Sequence, residues 1–95
     1  MPILRIEHPI GDFEAWKQAF DSDPLGREQS GVSRYQIWRS IEPAGHVMID
    51  LEFEEAEDAR SMRERLKEMW THAQGRGLIG EQQVWIFEDY EAGSY

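Results

Sequence analysis

Residues 32–53 read VSRYQIWRS-I-EPAG-HVMIDLEF, and the fold turns on how this stretch pairs with itself. From His46 to Phe53 polar and apolar residues alternate, with Val47, Ile49, Leu51 and Phe53 at every second position, the period of a strand with one buried face. Val32 to Ser40 is rich in aromatic and β-branched residues, and Glu42-Pro43-Ala44-Gly45 between the two runs carries turn chemistry. Together they predict a hairpin. Pairing across the turn sets Trp38 near Met48, Gln36 near Asp50 and Arg34 near Glu52, so these six share one face, opposite the apolar stripe.

Upstream, Ile3 to His8 reads as a strand halted by Pro9-Ile10-Gly11. Asp12 then supplies an N-cap, and Phe13, Trp16 and Phe20 recur at three- and four-residue spacing, which predicts a helix over roughly residues 12–22 with its rings along one face. Residues 23–31 hold Pro24, Gly26, Ser30 and Gly31 among charges and read as the longest loop. Downstream, Ala59, Met62, Leu66, Met69, Trp70 and Ala73 follow the helical period over residues 54–74, with Glu57, Arg60, Glu64 and Lys67 at ion-pair spacings on the solvent side. Gly75, Gly77 and Gly80 end that helix, and Gln83 to Glu88 forms a last strand.

The order β-α-β-β-α-β specifies an α+β, ferredoxin-like fold, a four-stranded antiparallel sheet with two helices on one face. Its first and third strands are central and the fourth lies beside the first. No repeat or linker divides the chain, so residues 1–95 are expected to form a single domain. Leu4, Ile6, Tyr35 and Ile37 should join the apolar stripe under the helices. The other face keeps Ile3, Arg5, Arg34, Gln36, Trp38, Met48, Asp50 and Glu52, a mixture of large apolar side chains and matched charges suited to packing against a second sheet. A homodimer stacked sheet to sheet is therefore expected, with Ile3, Arg5, Arg34, Trp38, Met48, Asp50 and Glu52 at its interface.

Composition narrows the function classes. Nineteen acidic residues against ten basic ones give a formal net charge of −9, which repels nucleic acid and anionic membrane surfaces. The chain has no cysteine, hence no disulfide, thiolate nucleophile or thiolate metal site. Met1 to His8 lacks the basic and long apolar regions of a signal peptide, and no apolar run approaches the ~20 residues that span a bilayer, so a cytoplasmic location is expected.

The run His8-Pro9-Ile10-Gly11-Asp12-Phe13-Glu14-Ala15-Trp16-Lys17-Gln18-Ala19-Phe20-Asp21, with Gly31-Val32 opening the second strand and Phe53-Glu54 leading to the Ala59 helix, resembles the dimeric α/β-barrel superfamily. That group includes antibiotic-biosynthesis-type monooxygenases, small polyketide cyclases and uncharacterised actinobacterial-type proteins with a D-F-x-x-W-x-x-x-F-D first helix. The resemblance covers nearly the whole chain. It implies a dimeric barrel with a pocket between helices and sheet, and oxygenation of aromatic or quinol substrates without metal or flavin. Members that oxygenate often use an Asn, a Trp and a Tyr or His, but this sequence has no Asn. Neither the haem-degrading nor the polyketide-oxidising activity therefore carries over residue by residue, and the spacing of Trp70 and His72 does not match the haem-degrading arrangement.

Several constellations have two readings. Phe13, Trp16 and Phe20 facing Met62, Leu66, Met69 and Trp70 form first of all a core, yet with Tyr35 and His72 at the edge they would also line an apolar pocket with a few orienting groups. The catalytic candidates are His8, Tyr35 and His72. His8 and Asp12 could form an acid/base pair, but capping explains Asp12 as well. A three-histidine metal site is disfavoured because alternation sends His8 toward the helices and His46 to the other face. Gly75-Arg76-Gly77 reads as a helix stop, and no nucleophile elbow or phosphate loop is present.

Two functions follow as expectations. One is a homodimeric barrel that binds a small aromatic or polyketide-like molecule, with cofactor-free monooxygenation or cyclisation as its enzymatic form and no metal or cofactor. The other is a non-enzymatic interaction module whose main property is dimerisation.

Overall fold

Strand β3 (His46–Phe53) lies inside the sheet and pairs with a neighbour along each side. The computed structural model describes residues 1–75 and 82–95, with only the backbone of residues 72–75. Its elements run β1 (Ile3–Pro9), α1 (Phe13–Asp21), β2 (Val32–Arg39), β3, α2 (Ala56–Gly75) and β4 (Gln83–Phe87). The strands are ordered β2-β3-β1-β4, antiparallel at every step, with both helices on one face. This is the ferredoxin-like arrangement. The hairpin register is the expected one: Trp38 opposes Met48, Gln36 opposes Asp50 and Arg34 opposes Glu52.

Period-two alternation becomes burial. Val47, Ile49, Leu51 and Phe53 of β3 are buried beside Leu4 and Ile6 of β1, and Ala59, Met62 and Leu66 of α2 close over them. Fully burying side chains of this size stabilises a fold by about 1.5–3 kcal/mol each, so α2 and the two central strands carry most of the driving force. Helix α2 starts at Ala56 rather than Glu54, because the Glu55 carbonyl accepts the first helical hydrogen bonds, from the amides of Asp58 and Ala59. It ends at Gly75, and the other two expected breakers, Gly77 and Gly80, lie outside the described residues.

Helix α1 is built differently. Asp12 caps it, its carboxylate accepting from the amides of Glu14 at 3.0 Å and Ala15 at 3.4 Å, and Lys17 reaches Asp21 at 2.7 Å one turn on. Yet none of its nine residues is buried. A helix this short is not stable in water by itself. The loop that follows holds it: Arg27 donates from its guanidinium to the Phe20 carbonyl at 2.9 Å and lies 3.8 Å over the Phe20 ring, while its own amide donates to Asp23 at 2.9 Å.

Candidate ligand-binding site

Because α1 stands away from the sheet, its aromatic row closes a cavity instead of a core. The cavity has a volume of about 620 Å³, within the range of small-molecule sites. Ile6, His8, Ile49 and Leu51 form its floor, and Met62, Leu66, Met69 and Trp70 of α2 form one wall. The opposite wall is Trp16 and Phe20 of α1, with Ala15 and Ala19 leaving room between the rings. Pro24, Leu25 and Arg27 from the following loop close one end. Trp16 and Phe20 stack at 5.4 Å, giving the cavity a continuous flat aromatic side.

His8 is the one polar side chain that is buried among the described residues, at 3% exposure, and it lies in this floor. Burial lowers its pKa below the ordinary 6.5, outweighing the hydrogen bond to Pro9 that works the other way. The remaining polar side chains of the wall are at least half-exposed or already engaged. Asp12 caps α1, the Ser22 hydroxyl donates to the Ala19 carbonyl at 2.6 Å, and Asp23 accepts from the Arg27 amide.

Six of the eight residues expected to line a pocket do so: Trp16, Phe20, Met62, Leu66, Met69 and Trp70. Phe13 and Tyr35 do not. Phe13 opens α1, where its ring packs on Trp16 at 5.7 Å and beneath the Arg39 guanidinium at 4.3 Å, outside the cavity. Tyr35 sits on the helix side as expected, but β2 is an edge strand, and its half-exposed ring packs edge-on behind Phe20 at 5.3 Å. It backs the wall rather than forming it. The side chain of His72 lies outside the described residues. The loop contribution of Leu25 and Arg27 escaped the sequence reading, since nothing in loop composition says which way a loop folds. No contact joins His8 to Asp12 among the described residues, and His46 points away from His8, its Nε2 2.8 Å from Glu7 on the other face. Among the described residues no group of three or more acidic or histidine side chains is placed to hold a metal ion.

The open face of the sheet carries an ordered network. Asp50 receives both Nε and Nη2 of Arg5, at 2.7 and 2.9 Å, and the indole N–H of Trp38 at 3.1 Å. Arg5 holds the Asp50 carboxyl below its usual range, chiefly through these hydrogen bonds. Arg34 approaches Glu52 at 3.9 Å. Around the network stand Trp38, Trp85 and Phe87, 45%, 40% and 45% exposed, the last two stacked at 6.4 Å. Trp85 and Phe87 were not assigned to this face from sequence, although strand alternation beside β1 puts Trp85 opposite Arg5 and Phe87 opposite Ile3.

No family model matches the chain, and no curated protein matches it. Solved structures do. A candidate antibiotic biosynthesis monooxygenase from Deinococcus radiodurans superposes with a TM-score of 0.73 at 12% identity, over 100% of this chain and 98% of the other. A dimeric ferredoxin-like protein from an uncultured marine organism gives 0.69 at 8% identity, with both chains fully covered. A Mycobacterium tuberculosis protein gives 0.66 at 14%, over 99% of this chain and 100% of the other. At such identities the likeness is one of fold: this chain has the fold of antibiotic-biosynthesis-monooxygenase-like and dimeric ferredoxin-like proteins. Among the described residues no helix is long and apolar enough to cross a membrane.

Proposed function

We propose that this chain is a small-molecule-binding protein that works as a homodimer, taking an aromatic or polyketide-like compound into the cavity between α1, α2 and the sheet. The observation that carries the reading is the cavity itself, about 620 Å³ lined by Trp, Phe, Met and Leu, at a place where a domain of this size would ordinarily have core. The enzymatic form of this function is a cofactor-free monooxygenase or cyclase. The homodimer reading rests on the open face, where three exposed aromatics surround charges already paired within the chain. The structural neighbour that is itself dimeric supports it.

Tryptophan fluorescence tests the binding, because Trp16 and Trp70 line the cavity. Saturable quenching by a hydroxyaromatic compound is the expected result, and an oxygen electrode with a quinol then separates oxygenase from binder. Light scattering at micromolar concentration should give twice the 11.2 kDa chain mass. A tight dimer that no such compound quenches would leave the interaction-module reading in place of this one.

A further inference from the structure

Helix α1 forms a whole wall of the cavity, yet it is fastened to the rest of the domain by side chains alone. None of its nine residues is buried, and among the described residues no Cα of α1 comes within 8 Å of a strand or of α2. Nor does any hydrogen bond or ion pair run from residues 12–22 to the sheet or to α2: those they make end within residues 12–27. Three rings at the edge of the core make the connection, Phe13 beneath Arg39, Trp16 at 6.1 Å from the His8 ring, and Phe20 against Tyr35. Helix α2 is the opposite case, with Ala59, Met62 and Leu66 buried in the core. The floor between them is closed to solvent, for Ile6, His8, Ile49 and Leu51 are each 5% exposed or less. A ring system can lie against that floor only after a wall has moved, and α1 is the wall that can move without breaking the core. We propose that residues 12–30 form a lid that swings away from α2 to admit the ligand and closes over it. The inference rests on the cavity being a binding site and assigns the route into it.

The segment is braced to move as one body. Arg27 ties the loop to the end of α1 through the Phe20 carbonyl, the Phe20 ring and Asp23, and the Ser30 hydroxyl donates to the Leu25 carbonyl at 3.0 Å. Glycines bound it on both sides. At Gly11 no atom lies within 4 Å of the place a Cβ would take, and Gly31 holds φ +100, so the chain can rotate at the first and already uses glycine's freedom at the second. One hydrogen bond crosses the second glycine, from the Val32 amide to the Arg27 carbonyl at 3.0 Å. Arg27 is also the latch, its guanidinium lying 5.4 Å from the Tyr35 ring of β2.

The chain has no cysteine, so a single introduced thiol reports on a single place. Leu51→Cys puts it in the floor beneath the lid, and Val47→Cys puts it at a buried position of the same strand that does not line the cavity. With dithiodipyridine as the reagent, the floor thiol should react about tenfold faster or more, because the Val47→Cys thiol waits for the core itself to open. Arg27→Ala, which removes brace and latch, should speed the floor thiol about tenfold. Gly11→Ala, which fits the closed lid and narrows its hinge, should slow it about two- to fivefold. Neither should change the Val47→Cys thiol, and Ile49→Cys supplies a second floor position where Leu51→Cys fails to fold. A floor thiol no faster than the Val47→Cys thiol, or one that neither variant shifts, overturns the lid while the cavity reading stands on tryptophan quenching by 2-naphthol. Stopped-flow quenching should follow the same order, fastest in Arg27→Ala and slowest in Gly11→Ala. If 2-naphthol quenches nothing, both fall.

Discussion

Asp50→Ala removes the hub of the open face. In the isolated chain the change deletes two charge-assisted hydrogen bonds from Arg5 and one from the Trp38 indole. Hydrogen bonds to charged groups are worth about 1.5–3 kcal/mol. Asp50 is 13% exposed but Arg5 is 33% exposed, so the stranded guanidinium can recover water, and the loss should stay at the low end, near 2 kcal/mol. In a sheet-to-sheet dimer that water is excluded, and leaving one charge of a buried pair costs about 3–5 kcal/mol. The difference is roughly 1–3 kcal/mol per protomer, and because a homodimer carries the change twice, association weakens by about 2–6 kcal/mol, from about 30-fold to about 20,000-fold. Urea unfolding at two protein concentrations, with sedimentation to follow the dimer, measures both parts. Arg5→Leu/Asp50→Leu should lose less than Asp50→Ala, because it strands no charge. The acid limb has a definite sign: the folded pKa of Asp50 is depressed, so its contribution is present above the ordinary 3.8 and is lost as pH falls through the depressed value, closing the gap between wild type and variant. A cost under about 1 kcal/mol, independent of protein concentration, would refute the reasoning and leave the face solvated.

Two further substitutions follow from the fold. Gly31 has φ +100, and a Cβ there would meet the Asp58 side chain, 2.8 Å from Oδ2 and 3.2 Å from its Cβ. Gly31→Ala should cost about 1–3 kcal/mol in denaturant unfolding, and a neutral result would mean that the loop relaxes away from α2. His8 is buried with its pKa lowered, so stability should be flat above 6.5 and fall as pH drops from 6.5 to the depressed value, where the unfolded chain takes up the proton first. His8→Gln should remove that slope. Asp12, Asp23 and Arg27 of the wall are common to both proteins, and the slope includes the repulsion that His8 feels from His46, which opens β3 opposite Pro9.

The strand faces were legible because a strand has only two sides. Once Val47, Ile49, Leu51 and Phe53 are assigned inward, Trp38, Met48, Asp50 and Glu52 have nowhere else to go, and the register across the turn follows by counting. The Asp12 cap was legible for the same local reason: its partners are the amides two and three residues ahead. Trp85 and Phe87 belong to this class too, since alternation along β4 beside β1 was enough to find them.

What periodicity could not decide is how far α1 stands from the sheet. Phe13, Trp16 and Phe20 make the same stripe whether the helix closes on a core or roofs a cavity, and only the packed chain shows that Phe13 packs against the edge of the core under Arg39 while Trp16 and Phe20 line the cavity. The same holds for Arg27, whose place on the Phe20 ring depends on the path of the loop, and for His8, whose burial in the cavity floor depends on how the helices pack over the strand end. Side-chain direction along an element repeats at short range and is written into spacing. Separation between elements is set by the balance of many contacts distant in sequence, and it is that separation which turns an aromatic face into a binding site.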